Sequence, residues 1–363
     1  MSRLAQLTPG VPLIESLTFR SLLPEMGLSE DEQRIATDLN QRGYAVIDFP
    51  DPEIDARIER IKAVLSGRFG IDPADPDSVG RRGGQRIQDA WTFDQDVKAI
   101  ATNPTVLDLL GRLYGRRAVP FQTLNFPVGT QQHIHSDSIH FSSVPERFMC
   151  GVWLAMEDIH EDAGPLTYCP GSHRWPIVSN LMLGTKRFGD QSQMAQAPYE
   201  EVWRATIEAQ VAHTEVFLAR KGQALIWAAN LLHGGSPQRD PNRTRWSQVT
   251  HYYFADCAYY TPAFSDEAFG RLDLRRIVNI ATGEVEPNRV LGEPLGPVTS
   301  APARRRPIWR KWLRRTAVPA AETVPADFDD VAYLRLNPDV AAAQIDAREH
   351  YLKYGREEGR TYR

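Results

Sequence analysis

The spacing of hydrophobic residues changes from a helical period to a strand period near residue 118. Before that point, apolar residues recur three and four positions apart, as they do on one face of a helix. Helices are predicted to begin at the Ser29–Glu32 capping box, at Asp51-Pro52 and at Asn103-Pro104. Gly43 is expected to end the first of these helices, and the apolar run that follows it, YAVIDF (44–49), predicts a short buried strand.

Beyond residue 118 the segments become short, rich in β-branched and aromatic residues, and separated by turn residues. Six segments are predicted strands: VPFQTLNF, HIHSDSIHF, FMCGVWLAM, TEVFLA, QALIWA and RWSQVTHYYF. One helix, at roughly 199–210, interrupts them, and Lys221-Gly222 is expected to form a hairpin turn between two of them. Helices followed by many strands predict an α+β protein, in which a closed or double-layered β core carries flanking helices.

The character of the chain changes again after about residue 297. The predicted organisation is a main domain over 1–297 with its β core at about 118–262, a Pro/Ala/Arg-rich linker over 298–325, and a small helical segment over 326–363. The last segment has the pattern YL…NPDV…A…HY…G…EGR. It resembles a short repeat of bacterial proteins, often attached to glycosyltransferases and cell-surface-associated enzymes. That resemblance is the reason to consider a substrate that is linked to a glycan or a lipid.

The charge distribution singles out one segment. The run RRRPIWRKWLRR (304–315) carries seven positive charges and no acid, in a chain of 363 residues with a net charge of −4. It is a candidate for peripheral contact with a membrane or a protein, and a solvated linker is the alternative. The remaining charge pattern gives no reason to expect a nucleic-acid partner. Three cysteines without a CxxC pair, no signal peptide and no long apolar run predict a cytoplasmic protein, with this basic run as a candidate for peripheral contact at the inner face of the membrane.

Candidate chemistry concentrates in HIHSDSIHF (133–141), which holds three of the nine histidines of the chain. Alternate residues of a strand share a face, so His135 and Asp137 are predicted to point the same way. His233 is the best third ligand, because it follows an apolar strand and precedes two glycines. Two histidines and one carboxylate on one side of a metal are typical of non-haem Fe(II) oxygenases, whereas zinc more often has four ligands.

The positions left open on such an iron would suit a keto acid and O₂. A keto acid with a second carboxylate then needs a fixed cation, and the planar guanidinium of arginine binds carboxylates through two hydrogen bonds. Arg245 opens the strand RWSQVTHYYF and is the first candidate for this cation. Arg243, two residues earlier, is its rival.

With these residues in place, the sequence resembles the phytanoyl-CoA dioxygenase (PhyH-like) family of Fe(II)/2-oxoglutarate oxygenases over roughly residues 30–262. The resemblance rests on HSD (135–137), GVWLAMEDIHEDAGPLTYCPGSHRW (151–175), LLHGG (231–235) and RWSQVTHYYFADC (245–257). It implies a double-stranded β-helix, which is a relative of the jelly roll and the cupins. It also implies that His135, Asp137 and His233 bind Fe(II) and that Arg245 binds the 2-oxoglutarate carboxylate.

The same resemblance implies further contacts. Trp153 matches a tryptophan of the family near the co-substrate, and Gln122 and Asn125 are expected to contact 2-oxoglutarate or the substrate. Two positions after the distal histidine the family often has serine, whereas here Gly235 stands there and Ser236 follows. Ser236 is therefore the expected hydroxyl contact to the co-substrate.

The reaction that the resemblance implies consumes 2-oxoglutarate and O₂, releases succinate and CO₂, and hydroxylates a small-molecule or glycan- or lipid-linked substrate. Asp137 is intact, whereas halogenating relatives have a small residue at that position, so hydroxylation is predicted. Two alternatives stay open. One is a cupin-like metalloenzyme that does not use 2-oxoglutarate, and the other is a non-catalytic binding scaffold.

Overall fold

The structure is a computed structural model of the chain. It describes residues 3–72, 75, 77–80, 86–187, 196–295, 324–325, 327–337, 347–352 and 361–362. The chain divides into two compact units, residues 1–299 and 300–363. The basic run 304–315 and nearly all of the predicted linker lie outside the described residues. Among the residues that are described, no helix is both long enough and apolar enough to cross a membrane.

The helices of the first unit lie mostly before the sheets in sequence. They are α1 (Arg3–Leu7), α2 (Phe19–Leu22), α3 (Glu30–Arg42), α4 (Ile54–Phe69), α5 (Asp77–Gly80), α6 (Gln95–Ala101), α7 (Pro104–Tyr114) and α8 (Ala197–Ala209). Short 3₁₀ turns occur at Leu13–Glu15, Leu23–Glu25, Ala90–Thr92, Asp137–Ile139, Ser172–Arg174, Pro262–Phe264 and Glu267–Phe269.

Local capping explains where two of the predicted helices, α3 and α7, begin. The Ser29 hydroxyl accepts a hydrogen bond from the Glu32 backbone N–H while the Glu32 carboxylate accepts one from Ser29, so the predicted capping box of α3 is confirmed. The Asn103 side chain caps α7, whose first residue is Pro104. Gly43 ends α3 in the left-handed conformation with φ 84°, which glycine adopts without steric cost.

The strands of the first unit are β1 (Tyr44–Asp48), β2 (Ile87–Gln88), β3 (Ala118–Phe126), β4 (Ser142–Val144), β5 (Met149–Ala155), β6 (Leu166–Tyr168), β7 (Glu215–Phe217), β8 (Gln223–Ala228), β9 (His233–Gly235), β10 (Ser247–Phe254), β11 (Ala258–Tyr260), β12 (Ile277–Val278), β13 (Val285–Glu286), β14 (Arg289–Val290) and β15 (Glu293–Pro294). The main sheet has the order β1-β8-β5-β10-β3-β2, and a smaller sheet has the order β7-β6-β9. All their pairings are antiparallel, so the mixed helix-and-sheet class predicted from the sequence is confirmed.

The predicted hairpin at Lys221-Gly222 is wrong. β7 pairs with β6 in the smaller sheet, whereas β8, which follows the turn, pairs with β1 and β5 in the main sheet. The turn therefore carries the chain from one sheet to the other. A hairpin and a turn between two sheets both require strand-forming segments on each side, and both accept a glycine such as Gly222 with φ 82°. The local sequence therefore could not distinguish the two arrangements.

Alternation along the main sheet produces two apolar layers. On one face, side chains such as Val152 and Ile226 join the helical residues Ile58 and Leu113 in the larger core. The intervening residues face the other way and form a second cluster, which includes Leu124, Trp153, Trp227 and Val249 of the main sheet and Leu166 of the smaller sheet. The helices thus cover one face of the main sheet, while the other face is free to line a site.

The second unit has its own small apolar cluster. Its described helices are α9 (Asp330–Leu336) and α10 (Ala347–His350). The Asp329 carboxylate caps α9, and Arg348 of α10 forms an ion pair with Asp330 at 2.9 Å. The side chains of this cluster are Phe328, Tyr333, Ala347 and Tyr351. Helical structure is therefore present in the segment for which it was predicted, while the predicted linker stays a prediction.

Candidate metal centre

The HIHSDSIHF segment is not one continuous strand. His135 pairs with His233 through two backbone hydrogen bonds of 2.8 and 2.9 Å, and Asp137 then opens a 3₁₀ turn. The Ser136 hydroxyl accepts a hydrogen bond from the Ser138 N–H, which caps the turn. The predicted proximity of His135 and Asp137 is therefore found, but its predicted cause, alternation along a regular strand, is wrong.

Three buried side chains converge at this point. His135, Asp137 and His233 each offer one ligand atom, and these atoms all lie within 4.8 Å of one another. The Nε2 atoms of His135 and His233 lie 3.8 and 3.7 Å from the two carboxylate oxygens of Asp137. The side chains of His135, Asp137 and His233 are 8%, 6% and 8% exposed, so all three are buried.

Backbone carbonyls set the orientation of both imidazoles. His135 Nδ1 donates to the carbonyl of His133 at 2.9 Å, and His233 Nδ1 donates to the carbonyl of Leu231 at 3.0 Å. Because a carbonyl only accepts, each Nδ1 carries a proton, and Nε2 is the ring nitrogen left to bind a metal. Metal-binding histidines typically have this arrangement, in which the second nitrogen is held by a hydrogen bond.

The protonation states also fit a metal site. Burial and the neighbouring His233 lower the pKa of His135 to about 3, so its imidazole is neutral at pH 7. Burial raises the pKa of the Asp137 carboxyl, but the surrounding imidazoles and a Trp227 hydrogen bond outweigh burial and hold that pKa at about 2. Neutral nitrogens and an ionised carboxylate are the forms that bind a divalent metal.

A fourth histidine lies beside the cluster. His251 Nδ1 donates to Gln122 Oε1 at 3.0 Å, while its Nε2 lies 3.7 Å from Asp137 Oδ2. His251 was not assigned to the site from the sequence. The strand period held a usable signal, because Val249 and His251 of β10 share one parity with Arg245, which lies two residues before the strand, and all three line the same cavity.

The sequence reasoning missed Trp227, which contacts Asp137 directly. The Trp227 indole N–H donates to Asp137 Oδ2 at 2.8 Å, and its ring centroid lies 4.9 Å from that of His233. Gly151 is opposite Trp227 on β5, and a Cβ at Gly151 would overlap the indole ring. The absence of a side chain at Gly151 therefore lets Trp227 reach the carboxylate and fix its orientation.

Replacing Trp227 with phenylalanine is expected to lower metal affinity about 10- to 100-fold while the protein stays folded, because the ring is kept and the hydrogen bond to Asp137 is lost. Calorimetric titration with Co(II) measures the affinity, and thermal unfolding checks the fold. Trp203→Phe is the matched control, since Trp203 is buried on α8 but is neither one of the metal-binding residues nor a residue that lines the cavity. Equal metal affinities of the two variants would show that Trp227 does not orient Asp137 for metal binding.

Arg245 is a buried cation without a partner. It is 2% exposed, its side chain makes no hydrogen bond or ion pair within the described part of the chain, and its Nε is unsatisfied. Burial lowers its pKa to about 10, which still leaves it charged at pH 7. By contrast, Arg243 is 44% exposed and pairs with Asp240 at 3.1 Å. Of the two arginines, only Arg245 is buried without a counter-charge among the described residues, so only Arg245 requires an anion from a bound ligand.

One cavity of about 450 Å³ joins these groups. His135, Asp137, His233, Arg245, Trp153 and Gln122 all line it. Asn125 lies outside its lining; it is fully buried, and its Nδ2 donates to Gln248 Oε1 at 3.3 Å. Ser236 also lies outside the lining, while Gly234 and Thr130 are part of it. The expected co-substrate contacts of Asn125 and Ser236 are therefore not retained.

One family model matches the chain. The family model described as phytanoyl-CoA dioxygenase (PhyH) matches residues 39–245. No match was found among curated protein sequences.

Solved structures resemble the chain at low identity. The 2-oxoglutarate-dependent epimerase SnoN from nogalamycin biosynthesis is 18% identical, with 74% of this chain and 96% of that chain covered at a TM-score of 0.48. The carbocyclase SnoK from the same biosynthesis is 16% identical, with 75% and 95% covered at 0.48. EctD from S. alaskensis, solved with 2-oxoglutarate and 5-hydroxyectoine, is 18% identical, with 74% and 88% covered at 0.49. The family match spans more than half of the sequence, and the chain belongs to the phytanoyl-CoA dioxygenase (PhyH) family.

Proposed function

We propose that the protein is an Fe(II)- and 2-oxoglutarate-dependent dioxygenase that hydroxylates a small-molecule or glycan- or lipid-linked substrate. The observation that carries the proposal is the joint presence, in one cavity, of a buried His-Asp-His cluster and a buried guanidinium that has no hydrogen-bond or ion-pair partner among the described residues. Family membership supports the same class of oxygenase.

The donor set fits iron. Two neutral Nε2 atoms and one carboxylate are the facial ligand set of non-haem Fe(II) sites, and His135, Asp137 and His233 would hold the ion. When bound, iron supplies the oxidative chemistry in which 2-oxoglutarate and O₂ give succinate, CO₂ and a hydroxylated product. The contribution of the protein is to orient the ligands, since the Nδ1 hydrogen bonds of both histidines and the Trp227 indole restrict how each ligand can turn.

Arg245 would bind the distal carboxylate of 2-oxoglutarate. Its planar fork pairs with a carboxylate through two hydrogen bonds, which would satisfy the Nε–H that lacks a partner. Trp153 lies beside it, with the guanidinium carbon 5.6 Å from the ring centroid, and forms a flat wall of the subsite. Apolar side chains including Leu124, Leu166 and Val249 complete this part of the cavity and exclude water from the buried charges.

We further propose that the two sheets form the double-stranded β-helix expected from the resemblance. Trp153 and Val249 of the main sheet and Leu166 of the smaller sheet belong to one apolar cluster and line one cavity, as expected for a site between two facing sheets. Peripheral contact through 304–315 stays a prediction, because that run lies outside the described residues.

Calorimetry of the full chain loaded with Fe(II) under nitrogen tests the proposal. 2-Oxoglutarate is expected to bind the metal-loaded protein, and succinate is expected to form once O₂ is admitted. A protein that binds metal but not 2-oxoglutarate would instead support the cupin-like alternative. A purified protein that holds no metal even after Fe(II) is supplied would support the non-catalytic scaffold.

A further inference from the structure

A second arginine lines the cavity without an acidic partner. Arg275 donates from Nη1 to Thr261 Oγ1 at 3.2 Å and to the carbonyl of His140 at 3.4 Å, both neutral acceptors. Its Nε is buried and unsatisfied, and no carboxylate within the described residues forms an ion pair with it. A guanidinium has five donors, so most of the donors of Arg275 remain available to a ligand.

Arg275 lies on the side of the cavity that is lined by Phe141 and His251. Its guanidinium carbon is 4.9 Å from the centroid of the Phe141 ring, and that ring is 4.9 Å from the His251 imidazole. His251 in turn lies 3.7 Å from Asp137. A ligand that touches Arg275 would therefore lie along Phe141 and His251 and extend toward the ligand cluster.

The charges that line the cavity do not balance. Asp137 is the only carboxylate among its described lining residues, whereas Arg86, Arg245 and Arg275 all line it. If the proposed function holds, the positive charges of Fe(II) and Arg245 balance the negative charges of Asp137 and of the 2-oxoglutarate dianion. Arg275 and the exposed Arg86 then remain uncompensated. A neutral substrate would not offset the positive potential of these two arginines, whereas an anionic substrate would.

We propose that the substrate carries an anionic group, a carboxylate or a phosphate, that binds to Arg275 while the carbon to be oxidised lies near the His-Asp-His cluster. This inference rests on the proposed function and adds the substrate class to it. Arg275 is a specificity-determining residue, and Arg86 adds long-range attraction. Both the neutral acceptors and the Phe141 ring hold the guanidinium in place before the ligand arrives, which lowers the entropy cost of binding.

Three probes of similar size test the inference: benzoate, phenyl phosphate and the neutral benzamide. Each is titrated by calorimetry, under nitrogen, into full-length protein saturated with Fe(II) and 2-oxoglutarate, so that Arg245 is already engaged. At least one anion is expected to bind about tenfold or more tightly than benzamide, and the preferred anion distinguishes a carboxylate site from a phosphate site. An absence of any preference for the anions in the wild-type protein would overturn the inference.

Substitutions test whether Arg275 causes the preference for the anionic probes over benzamide. Arg275→Gln is expected to abolish it, and Arg275→Lys is expected to retain part of it, because the charge stays and the fork is lost. Arg276→Gln is the matched control, since Arg276 is the exposed neighbour and does not line the cavity. An Arg275→Gln protein that keeps the full preference contradicts the inference. If the wild type fails to bind 2-oxoglutarate, the proposed function fails, and the dependence of phenyl phosphate binding on Arg275 is then decided in an Arg245→Gln background.

Discussion

Replacing Asp137 with alanine is expected to weaken Fe(II) binding more than about 100-fold and to abolish 2-oxoglutarate-dependent succinate formation. Even partners that only orient metal ligands contribute about 10- to 100-fold to metal affinity, and a direct ligand contributes more. Asp137 is also the only carboxylate in the group of metal-binding side chains found among the described residues. The two imidazoles that remain carry no negative charge, so the ligand set would no longer offset the positive charge of the metal ion.

Metal titration by calorimetry and succinate formation measure the two effects. Asp48→Ala is the control, because it removes an exposed carboxylate at the end of β1, whose side chain is 82% exposed. Thermal unfolding of both variants without metal separates a loss of ligand from a loss of fold. Succinate formation that is indifferent to Asp137→Ala would rule out the triad as the site of the reaction.

The second large effect is expected at Arg245. Arg245→Gln removes the charge that would meet the distal carboxylate of 2-oxoglutarate. Truncating one partner of a buried charge pair costs roughly 2–5 kcal/mol, so the Kd of 2-oxoglutarate is expected to rise about 30-fold or more. Metal affinity is expected to stay within about twofold of the wild type, because Arg245 is not among the ligand atoms.

Arg243→Gln is the matched control for this variant. It removes the same side chain two residues earlier, where the guanidinium is largely solvated and already paired with Asp240. Its effect on 2-oxoglutarate binding is expected to be small, since exposed ion pairs contribute little. Equal effects of the two substitutions would show that the buried guanidinium is not the co-substrate anchor and would favour the cupin-like alternative.

Helix boundaries were the most predictable part of the fold. The capping box that opens α3 and the Asn103-Pro104 start of α7 are satisfied by hydrogen bonds within a few residues, so the sequence near each helix end contains the whole interaction. The short apolar run in QALIWA likewise predicts β8, because its length and composition are properties of the segment itself.

Strand partners and side-chain neighbours were less predictable. The Lys221-Gly222 turn has a local sequence that suits a hairpin, yet β7 and β8 pair in different sheets. Asn125 was placed at the site by its strand, but it faces away from the cavity that its neighbours Leu124 and Phe126 line. Which face of a strand meets the site depends on the layers packed against it, and those lie far away in sequence.

The sequence alone determined four helices (α3, α4, α7 and α8), six strands (β1, β3, β5, β7, β8 and β10), the family resemblance, and the residue types able to bind iron and a dicarboxylate. Tertiary structure decided that His135 pairs with His233 across two segments, that Trp227 reaches Asp137 over a separation of 90 residues, and that Arg275 shares their cavity. The physical reason is the range of the forces. Caps, turns and periodicity act between near neighbours, whereas a buried charge obtains its partners and its pKa from groups that only folding brings together.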